Sequence, residues 1–238
     1  TDETVIKTAA ISIRDFIALL LCVGTIYKTE AEMSIMAPRN SAAMWDERYQ
    51  GAAQPYGVAP SVYLREKVAL IRPGGDVLLP GDGGGRNGVW LAGRGFRAHL
   101  LDFSRQGIEA ARRWADESGV EVGLEQADVL GWGWPAERFD AVVSVYLHLP
   151  EEHRAQVHRA MLRALKPGGI LLIEGFHKDQ MTHTSGGPRD PSMLFSEQAL
   201  QDDLSEANLL ELRREEVVLN ESPLHRGLAV VLRVTARS

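Results

Sequence analysis

Glycines 81, 83 and 85, the acid Asp102 and the pair His225-Arg226 are the residues here whose types and spacing can do chemistry. In the run VLLPGDGGGRNGVWLA, 77–92, an apolar strand stops at Pro80, the glycines follow at alternate positions, and the chain turns helical. Strand, Gly-rich turn and helix in that order bring backbone N–H groups close to a small ligand, because glycine has no Cβ in the way and accepts positive φ. The ligand this predicts is an adenine nucleoside derivative. Gly83-x-Gly85-x-x-Gly88 with Asp102 downstream also matches a dinucleotide fingerprint, the acid accepting from ribose hydroxyls. On this loop alone NAD and S-adenosylmethionine (SAM) compete, and a tight turn with no ligand is the third reading.

The elements that must position these residues alternate along the chain. Ser61 predicts the cap of a helix running to about Arg72, ended by Pro73-Gly74-Gly75. Strands are expected at Asp76–Leu79, Arg97–Leu101, Glu121–Gln126, Phe139–Val145 and Ile170–Glu174, and two more at 209–219 and 227–236. Helices are expected at Arg86–Arg94, from the Ser104 cap to Ser118, at Glu151–Leu165 and at Ser196–Glu206, with Pro167-Gly168-Gly169 as a break. Alternation with long crossovers predicts an α/β fold: a Rossmann-like, doubly wound, mostly parallel seven-stranded sheet closed by a C-terminal antiparallel hairpin.

Composition narrows the partners. A chain of 238 residues with net charge −6 and no basic run argues against nucleic acid. One cysteine, Cys22, excludes an internal disulfide and a multi-Cys metal site, and no metal is expected. The apolar segment 16–27 is shorter than the roughly 20 residues a membrane span needs. It reads as part of an N-terminal extension, residues 1–36, ahead of a single domain over 37–238 whose first part, 37–72, forms a lid or cap. Met33 and Met36 are both plausible starts of a conventional chain. A cytoplasmic protein without membrane partner, monomer or homodimer, is the expectation.

Three features separate the two ligands. Asp128 follows the third strand, where an acid reaches the exocyclic amine of adenine; Leu165-Lys166-Pro167-Gly168-Gly169 precedes a strand; and the chain ends in a strand pair instead of a second nucleotide-binding half. Together these resemble the class I SAM-dependent methyltransferases over about residues 45–236. GDGGGRN at 81–87, LDFS at 101–104, FDAVVSVYLHLP at 139–150 and LKPGG at 165–169 resemble the tellurite-resistance and thiopurine branch, as do Trp45-Asp46-x-x-Tyr49, Tyr56-Gly57 and the hairpin string Leu224-His225-Arg226-Gly227. The resemblance implies SAM as cofactor and methyl transfer to a small-molecule thiol or chalcogen oxyanion. A NAD(P)-dependent oxidoreductase and a SAM-binding protein without transferase activity are the alternatives. One departure is plain: the resemblance calls for an acid two residues before Gly81, and Leu79 stands there, so Asp82 is expected to meet the methionine amino group instead.

The cofactor contacts expected on this reading are Gly81, Asp82, Gly83, Gly85, Arg86, Asn87, Asp102, Phe103, Ser104, Asp128, Val129, Ser144 and Val145. Trp45, Tyr49, Tyr56, Tyr146 and His177 are expected at the substrate or lid. His225, Arg226 and His148 are the expected catalytic set, with Arg226 raising the anionic fraction of a thiol and a histidine serving as base for a hydroxyl.

Overall fold

The computed structural model describes residues 41–50 and 54–238; the expectations for residues 1–36 and Cys22 lie outside them. A first helix, α1, covers Ala42–Tyr49. The remainder of the fold belongs to one compact unit, Trp45–Ser238; of the unit Thr1–Met44 the described residues open α1, where Ser41 Oγ accepts from Met44 N at 3.3 Å.

Seven strands form one sheet: β1 Asp76–Pro80, β2 Arg97–Asp102, β3 Gly123–Gln126, β4 Phe139–Val145, β5 Leu165–Phe176, β6 Asn208–Ser222 and β7 His225–Arg237. Their order across the sheet is β3-β2-β1-β4-β5-β7-β6. The first five are parallel, while β7 runs antiparallel to both β5 and β6. The chain therefore winds outward from β1 to β3, then restarts at β4 on the other side of β1. Sheets of this kind bind ligands at such a switch point, beyond the carboxyl ends of the strands. Asp102, Tyr146 and Phe176 lie at those ends.

Helices α2 (Val62–Lys67), α3 (Arg86–Ala92) and α4 (Arg105–Ser118) precede or connect the first strands; α5 (Glu151–Ala164) and α6 (Glu197–Asp203) follow. Alternate residues of β1 face opposite sides, as the pleat requires. Val77 and Leu79 pack with Leu64, Leu91 and Ala111, whereas Leu78 packs with Phe139, Met161 and Leu171. Leu79 is thus a core residue, buried on the α3 side. Residues 127–138 cross from β3 to β4 without a helix, and Trp132 and Trp134, edge to face at 5.0 Å, cover that part of the sheet.

Several boundaries differ from expectation. The helix predicted to reach Arg72 ends at Lys67 and tightens into a 3-10 turn, Val68–Leu70. Lys166-Pro167-Gly168-Gly169 does not separate helix from strand. Leu165 already pairs with Phe139, and the tetrapeptide bulges within β5 before Ile170 rejoins Ala141. The hairpin strands are longer than predicted, leaving Pro223-Leu224 as the turn. No helix among the described residues is long and apolar enough to cross a membrane.

Candidate active site

The loop after β1 is built largely by its backbone. Gly81, Gly83 and Gly85 have φ of 72°, 54° and 83°, the left-handed region open to glycine at little cost. Gly81 N extends the β1–β2 ladder to Leu101 O at 2.6 Å, and Gly85 N closes the turn on Asp82 O at 3.0 Å. Asp102 ties the loop to the next strand end. Its Oδ2 accepts from Gly83 N at 2.9 Å and its Oδ1 from Ser104 N at 2.8 Å. Ser104 Oγ then caps α4 by accepting from Gly107 N at 3.0 Å. Burial pushes the Asp102 carboxyl up to about 6, against the pull of those amides.

Asp82 turns inward. Its carboxylate accepts from Gly88 N at 2.8 Å and Asn87 Nδ2 at 2.7 Å, capping α3, and burial raises it to about 6. Asn87 Oδ1 in turn accepts from Ser61 N at 2.9 Å, so the loop is bound to the start of α2. Ser61 Oγ continues to Glu174 Oε2 at 2.5 Å, and Glu174 Oε1 accepts from Arg233 Nε at 2.9 Å. This buried polar chain from the glycine loop to the middle of the sheet was not legible in sequence, because its members lie on α2, α3, β5 and β7.

The loop's outer face meets α1 and the segment after it. The Tyr49 hydroxyl packs against Gly83, and Gln54 Nε2 donates to Gly84 O at 3.2 Å. Asp46 Oδ1 accepts from Ser104 Oγ at 2.7 Å and Gln106 N at 3.0 Å, placing α1 over the end of β2. Trp45, Tyr49 and Tyr56 gather, with ring centroids 5.9 to 6.2 Å apart. A side chain at Gly83 or Gly84 would collide with Tyr49 or Gln54, so polar groups on this face reach the backbone only because Cβ is missing. That cradle fits the nucleoside expected above: the Asp102 carboxylate accepts from loop amides and, with two lone pairs on each oxygen, has capacity left for a ribose hydroxyl.

Beyond β4 and β5 the wall is aromatic. Tyr146 stacks on Phe176 at 4.7 Å, His225 stands edge-on to Tyr146 at 4.8 Å, and Tyr56 lies 4.9 Å from His225. Tyr146 holds φ of 55°, unusual for an aromatic residue, and its buried hydroxyl has no hydrogen-bond partner. The cation of this wall is Arg86, 5.9 Å from the Tyr146 ring. Arg86 NH1 donates to Glu221 Oε2 at 2.9 Å and to Tyr56 O at 3.2 Å. The same Glu221 oxygen lies 3.2 Å from His225 Nδ1. Burial works against the Glu221 carboxylate, but His225 and Arg86 outweigh it and hold the group below its usual range.

The other expected site residues are placed as follows. Arg226 is exposed on the hairpin while His225 beside it is buried, since neighbours on a strand face opposite ways. His148 is a packing residue: Nδ1 lies 2.8 Å from Met193 O, Nε2 accepts from Phe176 N at 3.1 Å, and burial lowers the ring to about 4. With both nitrogens occupied by backbone, it has none for a substrate. His177 caps a 3-10 turn, accepting from Asp179 N at 3.0 Å, with Nε2 3.1 Å from Glu197. Asp128 is exposed and accepts from Leu130 N at 2.9 Å in a turn, with Val129 buried in the core. Ser144 and Val145 end β4 beside Ile173 and Glu174, and Phe103 is half-buried between Asp102 and Ser104. Among the described residues no group of three or more His, Cys, Asp or Glu is arranged to hold a metal ion.

Residues 77–169 match the family model described as a methyltransferase domain. The 2-heptyl-1-hydroxyquinolin-4(1H)-one methyltransferase of Mycobacteroides abscessus is 26% identical over 71% of this chain and 82% of its own length. Other relatives are matched over less than half of their length. A solved structure described as converting a disulfide bond into a thioacetal group during echinomycin biosynthesis shares the fold at a TM-score of 0.68, with 24% identity over 82% of this chain and 91% of that one. TehB from Haemophilus influenzae superposes at a TM-score of 0.61, with 20% identity over 74% of this chain and 61% of its own.

Proposed function

From the premise that the chain is a SAM-dependent methyltransferase with SAM as its cofactor, we propose that it methylates the sulfur of a small-molecule thiol. The observation that carries this reading is the aromatic wall of Tyr56, Tyr146, Phe176 and His225, set at the strand ends beside the glycine loop with Arg86 behind it. Such a wall suits an apolar acceptor body and excludes water from a displacement that needs alignment above all. Chalcogen oxyanions fall within the same expectation and are the wider members of the acceptor panel.

SAM supplies the methyl group already activated as a sulfonium. On this reading Gly81–Gly85 and Asp102 hold the nucleoside end, and the Tyr49, Tyr56 and Trp45 rings close over it. The acceptor sits against Tyr146 and His225. A second reading, a ring-borne hydroxyl acceptor, is favoured by the same stacked rings and by the mycobacterial relative that methylates a hydroxyquinolone.

The test is to incubate the protein with methyl-labelled SAM and a panel of alkyl and aryl thiols, selenite, tellurite and a 1-hydroxyquinolone. Label on a thiol sulfur is the expected result. Label only on the hydroxyquinolone selects the second reading, and label on no member of the panel overturns both.

A further inference from the structure

We propose that the open side of β6 is where a second copy of this chain pairs, antiparallel and two-fold symmetric about Glu215, so that two seven-stranded sheets join into one. β6 is the last strand of the sheet, and among the described residues only β7 pairs with it. The β6–β7 register shifts between Leu209 and Glu211 and again between Asn220 and Ser222, while the stretch from Glu211 to Asn220 is regular. It holds no proline, so each outward N–H along it can donate. Backbone groups left open in this way are a template for another strand.

The order of the side chains singles out a second copy as that strand. Directly opposed residues of an antiparallel pair share a face. A two-fold axis through Glu215 therefore sets Arg214 against the partner's Glu216 and Leu212 against the partner's Val218, each twice. Along this face Leu212-x-Arg214-x-Glu216-x-Val218 is its own complement when reversed. Arg214 spends Nε and NH2 on Asp179 Oδ2, at 3.0 and 2.5 Å, which leaves NH1 for the opposed carboxylate. Within one copy Glu216 comes only to 3.9 Å of Arg214, so pairing trades that approach for a direct one. Val218, at 78% the most exposed large apolar residue of those described, lies beside Leu228, itself 46% exposed. Leu212 pairs on its inner side with Val234, so an apolar row crosses the interface: Val234, Leu212, the partner's Val218 and the partner's Leu228.

The opposite face brings Glu215 to the partner's Glu215. Arg213 NH2 at 3.1 Å and Arg233 NH1 at 2.5 Å already meet that carboxylate. Lys67, Arg213 and Arg233 there stand against Glu174, Glu211 and Glu215, with Glu66 at the rim, so the two carboxylates do not meet bare. Charges on an edge strand ordinarily keep other strands away. In this order they repel most sequences and match this one, because opposed pairs of unlike sign stabilise a sheet and like pairs do not. Pairing reaches Leu219, two residues before Glu221, and gives the strand that carries Glu221 to the acceptor wall a fixed neighbour.

Two measurements on the full chain test the assignment. The first is sedimentation velocity at about 100 µM, above the micromolar Kd at the weak end of such interfaces. Wild type is expected as a dimer, Arg214→Glu and Glu216→Arg each as monomers, and the double swap Arg214→Glu/Glu216→Arg as a dimer again. The second is oxidative cross-linking in a Cys22→Ser background. Glu215→Cys should give a disulfide-linked dimer, since two opposed strand residues lie within disulfide range. Val218→Cys should not, because it sits about 20 Å from its own counterpart in this register. A monomeric wild type overturns the proposal, whether the edge is bare or covered by another part of the chain. So does a dimer that survives Arg214→Glu or fails to cross-link at 215, since it uses a different face.

Discussion

The two ends of the candidate site are made of different material. At the cofactor end, main-chain amides and carbonyls of residues 81–85 do the positioning, and one side chain, Asp102, fastens them. At the acceptor end, side chains from α3, β4, β5, β6 and β7 meet, with Arg86, Tyr146, Phe176, Glu221 and His225 in one cluster. A main-chain cradle recognises what every substrate encounter shares, whereas a side-chain wall can change with the acceptor while the cradle stays. The difference teaches where to look for specificity: in the wall.

If the ends are separable, damage to one should leave the other working. The largest expected effect is at the cradle. Asp102→Ala leaves the Gly83 and Ser104 amides without their acceptor, at a cost of about 1–3 kcal/mol each. On the proposed reading it also removes the acceptor for the ribose, so thermal unfolding should shift down and SAM binding should disappear. Next comes pH. Asp82 and Asp102, both raised to about 6, favour their neutral forms in the folded state. Their contribution to stability is complete below about pH 4 and is lost as pH rises through 6. On the proposed reading, in which Asp102 accepts from SAM, binding behaves oppositely, and SAM affinity should weaken as pH falls through 6 in a titration series. The smallest effect is at the wall. Tyr146→Phe removes an unpaired buried hydroxyl, so stability should hold or rise by about 1 kcal/mol. The acceptor's KM should rise severalfold in steady-state assays while SAM affinity stays put.

The same contrast explains what could be read before the structure. The alternation of strands and helices, the Gly81–Gly85 turn and the Ser104 cap follow from residues adjacent in sequence, where hydrophobic period and turn chemistry act directly. Arg86 and Glu221 are 135 residues apart, and nothing local distinguishes that glutamate from the other acids of a charged hairpin. His225-Arg226 misled for a geometric reason: a dipeptide in a strand cannot turn both side chains inward. Lys166-Pro167-Gly168-Gly169 carries strong breaker residues, yet Pro and Gly are also the residues of a strand bulge, and pairing with β4 chose that outcome. Leu79, where an acid was sought, obeys the alternation of β1 and belongs to the core, so the cradle has its carboxylates at 82 and 102.

The central claim is that SAM binds across the Gly81–Gly85 turn and Asp102, apart from the chemistry of the wall. Calorimetric titration of SAM into wild type, Asp102→Ala and Glu221→Gln tests it most directly. The account predicts saturable binding to wild type, no binding to Asp102→Ala, and affinity in Glu221→Gln within about twofold of wild type, a difference of roughly 0.4 kcal/mol. Unchanged affinity in Asp102→Ala would contradict it.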